Sequence, residues 1–131
     1  MKRDWDLLRW VLNEAEACEG SYPVVLTRGI YNGSHSPLNI GERDFSDVCE
    51  HILLLRDAGL AIVRELGRDF EGSVGVALDR LTMEGHDFLQ AARDENRWQQ
   101  AMKTVNEKGG AVTIGVLIQV LSGLAKQHFG L

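Results

Sequence analysis

The chain has 131 residues, a formal net charge of −5, 44% hydrophobic and 25% charged residues, and only two prolines. That composition excludes a disordered or collagen-like chain, and one domain is expected at this length. The acidic balance weighs against a protein that gains its affinity by neutralising phosphates, which is usually basic on at least one face.

Cys18 and Cys49 are too few for a disulfide framework. The start, Met1-Lys2-Arg3-Asp4-Trp5-Asp6, has no apolar run after its basic residues. A cytoplasmic protein with two free thiols is therefore expected.

The spacing predicts a first helix over residues 5–19, with Trp5, Leu8, Leu12 and Ala15 on one stripe, Leu7 and Val11 widening it, Asp4 as its cap and Gly20 as its stop. A short β-branched run predicts a strand over 22–27. Residues 29–41, with three glycines, two asparagines, two serines and Pro37, read as a loop. Asp44 or Ser46 opens a second helix with Phe45, Val48, Ile52 and Leu55 inward, Cys49 and Leu53 flanking, and Gly59 as a left-handed terminator.

Strands over 60–66 and 73–78, joined by a loop with glycine at both ends, predict an antiparallel hairpin. Thr82 caps a third helix through Leu89 towards Arg93, and a further helical stretch covers Trp98, Met102 and Val105. After Gly109-Gly110, the segment 111–130 is helical by length, although its first half suits a strand by composition.

The order helix, strand, helix, β-hairpin, helix describes an α+β chain: a winged-helix-like domain over 1–108 with a C-terminal apolar helix, 109–131, packed on it. In such a fold the helix before the hairpin can enter a major groove, and the hairpin is the wing. A standard winged helix carries two helices between its first strand and its hairpin. Here either the turn is degenerate or a short helix occupies part of 29–41.

Three stretches carry a family resemblance: the opening Met1-Lys2-Arg3-Asp4-x-Asp6-Leu7, the run His51-Ile52-Leu53-Leu54-Leu55-x-x-Ala58-Gly59-Leu60, and Leu81-Thr82-x-x-Gly85-His86-x-Phe88-Leu89. They resemble a family of small bacterial and prophage proteins catalogued as a domain of unknown function. The third stretch also resembles a motif of many winged-helix regulators. The resemblance implies a winged-helix-like fold and a mobile-element setting, and brings no catalytic residues with it.

Cys49, Glu50 and His51 could begin a metal site, but zinc needs three or four converging ligands. His35, His86 and His128 are scattered without ligand spacing, so no metal or cofactor is expected. His86, at the start of the third helix, could serve as a general acid or base. The plainer reading is that Thr82 caps, Gly85 permits a close backbone approach, and His86 packs or hydrogen-bonds. No Ser-His-Asp or Cys-His arrangement stands out, and Gly29-x-x-x-Gly33 lacks the Gly-Lys-Ser/Thr ending of a phosphate loop. An enzyme is not expected.

From Glu42 to Asp57 five acids face two bases, a net −3. With the apolar stripe buried, Asp47, Glu50, Leu54 and Asp57 point outward, and carboxylates turned toward phosphates are repelled. The hairpin is mixed, with Arg64 and Arg68 among Glu65, Asp69 and Glu71. A phosphate-clamping wing would need Arg64, Arg68 and Arg80 to converge.

Of the ten residues 112–121, eight are non-polar counting Gly115. Gln119 and Ser122 interrupt the segment, which is short of the roughly 20 residues of a membrane span. On a helix, Ile114, Leu117, Leu121 and Leu124 share one face, and Val112, Val116 and Val120 share another. One face can pack at home, and the other then needs a second cover. The interaction surface is accordingly expected at Val112, Val116, Leu117, Val120, Leu121 and Leu124, in a homodimer or against a protein partner. The leading expectation is a small accessory or regulatory protein acting through protein–protein interaction. The alternative is a DNA-binding regulator of winged-helix type.

Overall fold

The computed structural model describes residues 2–18, 24–27, 36–68, 74–109 and 112–128. Its elements are α1 (Trp5–Ala17), β1 (Val24–Leu26), β2 (Ser36–Pro37), α2 (Phe45–Asp57), β3 (Ala61–Arg68), β4 (Val74–Leu81), α3 (Met83–Ala92), α4 (Glu95–Glu107) and α5 (Ile114–His128). The chain is mixed α+β and divides into two compact units, Met1–Gly85 and His86–Leu131.

Aspartates start three of the helices. The Leu7 N–H donates to the Asp4 carboxylate at 3.2 Å, the Asp47 N–H to Asp44 at 3.0 Å, and the Arg97 N–H to Asp94 at 2.9 Å. Each contact satisfies an amide that the first helical turn leaves without a partner. Asp44, not Ser46, is thus the cap of α2. Gly20, the expected stop of α1, lies outside the described residues.

Helix α2 ends where sequence placed it. Gly59 takes φ +74°, its N–H donates to the Arg56 carbonyl at 3.0 Å, and the Leu60 N–H reaches back to the Leu55 carbonyl at 2.9 Å. This paired closure is a Schellman motif, and it brings the chain round into β3 with Leu55 and Leu60 both buried.

In the first unit β1, β4 and β3 form a three-stranded antiparallel sheet with β4 in the middle, and β2 adds a two-residue parallel pair on the outer side of β1. The expected hairpin is present, and β4 runs on past Leu78 to Leu81. Helices α1 and α2 pack on each other; α1 contacts β4, and α2 contacts β3 and β4. Leu8, Val11 and Leu12 from α1, and Val48, Ile52 and Leu55 from α2, form the helical side of this core.

Strand β2 corrects the loop reading of 29–41, because Ser36 and Pro37 pair with Val24 and Val25. A Ser-Pro pair carries no strand signal of its own; pairing imposed by the neighbouring strand makes it one. Residues 29–35, where a further helix could have stood, lie outside the described residues.

In the second unit α4 packs on α5, with Trp98, Ala101 and Val105 of α4 and Leu117 and Leu121 of α5 buried. The Phe88 ring meets Trp98 edge to face, 6.4 Å between centroids at 83°. Gly109 ends α4 at φ +75°, and the Thr113 hydroxyl accepts the Val116 N–H at 3.2 Å to start α5. The apolar segment 114–128 is thus a helix, and α4 packs on it.

Three substitutions test this packing. Gly85 sits so close to Leu60 that an added Cβ would overlap the Leu60 carbonyl oxygen. Gly85→Ala should therefore destabilise by about 1–3 kcal/mol through overpacking, despite alanine's better helix propensity. Gly123→Ala, with nothing within 4 Å of its added methyl, should instead stabilise by up to about 1 kcal/mol. Equal effects in urea unfolding would contradict the close approach at Gly85. Leu55→Ala, removing a fully buried side chain from α2, should cost roughly 2–5 kcal/mol, read as a lower urea midpoint.

Candidate functional site

Three places could act on something outside the chain: the cations of the hairpin, the outward face of α2, and the outward flank of α5. The hairpin comes first because a DNA-binding role would depend on it.

Val63 pairs with Leu78 while Ile62 pairs with Arg80, which leaves Asp79 as an extra residue on β4. This bulge re-aims the Asp79 side chain. Its carboxylate takes Arg64 in a two-pronged contact, Nε to Oδ2 at 2.7 Å and Nη2 to Oδ1 at 2.9 Å. Arg80 turns its Nη1 to the Leu81 carbonyl at 3.2 Å. Arg68 ends β3, and its side chain lies outside the described residues. The described guanidinium groups of Arg64 and Arg80 thus bond to different acceptors within the hairpin.

On α2 the expected outward residues are in place: Asp47, Glu50 and Asp57 are exposed and Leu54 is half-buried. The two bases of this stretch are engaged. Arg43 lies over the Trp10 ring, 4.2 Å from its centroid, and Arg56 stands 3.6 Å from Glu65 and 4.0 Å from Asp57. Cation–aromatic contact and ion pairing hold both guanidinium groups against the protein itself.

His51 is the buried polar side chain of the described core. The Asp4 N–H donates to its Nε2 at 2.8 Å, and its Nδ1 lies 2.6 Å from the Asp47 carbonyl oxygen. A backbone N–H can only donate and a carbonyl can only accept, so the ring carries its proton on Nδ1. Nε2 ties α2 to the start of α1, and Nδ1 bonds back within α2 to the Asp47 carbonyl. Cys49 is buried while Glu50 is exposed, and no group of three or more potential metal ligands exists among the described residues. His86 is half-buried behind the Thr82 cap, where the Gly85 N–H donates to Thr82 Oγ1 at 3.0 Å. His35 and the His128 side chain lie outside the described residues.

Helix α5 sorts its expected interaction residues into two groups. Val112, Leu117 and Leu121 are buried, so they belong to the chain's own core. Val116 is 37% exposed, and Val120 and Leu124 are half-buried. Ile118, also 37% exposed, lies on the opposite flank by helical spacing. Sequence reasoning did not single it out, because it belongs to neither of the two faces drawn there. No described helix is long and apolar enough to cross a membrane.

A family model described as "Hypothetical protein (DUF2513)" matches residues 2–111. An uncharacterized protein of Haemophilus influenzae is 28% identical over 127 residues, which is 97% of this chain and 98% of that protein. No solved structure matches the chain.

The His51 assignment is directly checkable. Long-range proton–nitrogen NMR should show the Nδ1–H tautomer; a ring protonated on Nε2 would contradict the bond to Asp4. His51→Ala should cost about 1–3 kcal/mol, the penalty of leaving buried partners without a hydrogen bond.

Proposed function

The chain belongs to that family of hypothetical proteins, and from this premise we propose that it is a small accessory or regulatory protein that works by protein–protein interaction on a winged-helix-like scaffold. The element order of the first unit and its β1-β4-β3 sheet support the scaffold. Scaffold alone does not choose a function. The observation that carries the choice is the outward face of α2, where Asp47, Glu50 and Asp57 stand exposed in the position from which a winged helix would read a major groove. An acidic face gains nothing from counterion release on DNA, and it suits a basic surface of a partner protein. The proposal includes no catalytic step, metal or cofactor. It places the protein in the cytoplasm, and its mobile-element setting rests on the resemblance of the three stretches alone.

The second reading, a DNA-binding regulator, is favoured by the hairpin that follows α2. It would place its contacts at Arg64, Arg68 and Arg80, but Arg64 already holds Asp79 at 2.7 Å. Fluorescence anisotropy with duplex DNA at physiological salt should show nothing tighter than the roughly 10⁻⁴ to 10⁻⁶ M of non-specific contacts. Submicromolar affinity with a steep salt slope that Arg64→Ala and Arg68→Ala flatten would replace the protein-interaction reading with the DNA one.

The proposal extends to a homodimer, the commonest closed assembly, formed through the α5 flank of Val116, Val120 and Leu124. Leu117→Lys would place a charge in the core and unfold the chain, so it is no probe of association. Val116→Lys is the informative variant. Sedimentation over a hundredfold concentration range should show a wild-type dimer that this variant converts to a folded monomer. A wild type that remains monomeric throughout would leave α5 as core alone.

A further inference from the structure

We draw no further inference here: the strongest candidate, the apolar side chain of Met83 at the start of α3, 74% exposed, is an unpartnered apolar surface, and nothing in the structure shows what covers it.

Discussion

Thr82 serves the end of α2 and the start of α3 at once. Its hydroxyl donates to the Gly59 carbonyl at 2.6 Å and accepts from the Gly85 N–H at 3.0 Å, while its own N–H donates to the Leu60 carbonyl at 3.0 Å. The end of α2, the end of β4 and the first turn of α3 are thereby held at one point. That arrangement requires a left-handed residue at 59 to turn the chain and a residue without a Cβ at 85, where the backbone comes close to the Leu60 carbonyl. Beside this joint α2 packs on β3 and β4, with Leu55 and Leu60 buried.

The three stretches that carry the family resemblance meet at such joints. Asp4, in the first, gives its N–H to His51, the first residue of the second. Gly59 and Leu60, closing the second, receive Thr82 and face Gly85 of the third. These contacts join side chains of one stretch to the backbone of another, or bring backbone close to backbone at Gly85. The described residues of these stretches that make these contacts are thus engaged within the fold itself.

Much of this was legible because it depends on local rules. Caps at Asp4 and Thr82, the terminator at Gly59 and the stripes of α1 and α2 each need only a few neighbouring residues to be recognised. What escaped depends on distant partners. Sequence ends the strand at Leu78, whereas Asp79 is a bulge and the strand resumes beyond it. His51 reads in sequence as a candidate ligand beside a cysteine, and only the Asp4 amide, 47 positions away, reveals it as a brace. The outward residues of α2 follow from its period, but the pairing of Arg64 with Asp79 does not, because it requires the register of the hairpin. On α5 the stripe placed Leu117 and Leu121 together, while the burial of Val112 reflects its position before the helix begins, where helical spacing does not apply.

Strand β3 lies at the edge of the described sheet, where a row of open amides and carbonyls invites another chain to add itself. Its pairing with β4 shifts register between Ile62 and Val63 and again between Glu65 and Arg68. Between the two shifts only Val63, Arg64 and Glu65 keep an unbroken register. Irregular pairing twists an edge away from the flat geometry that a docking strand needs, and the charges of Arg64 and Glu65 make an uncharged newcomer a poor match. The bulge that settles Arg64 onto Asp79 is thus also part of what makes this edge a poor template for an added strand.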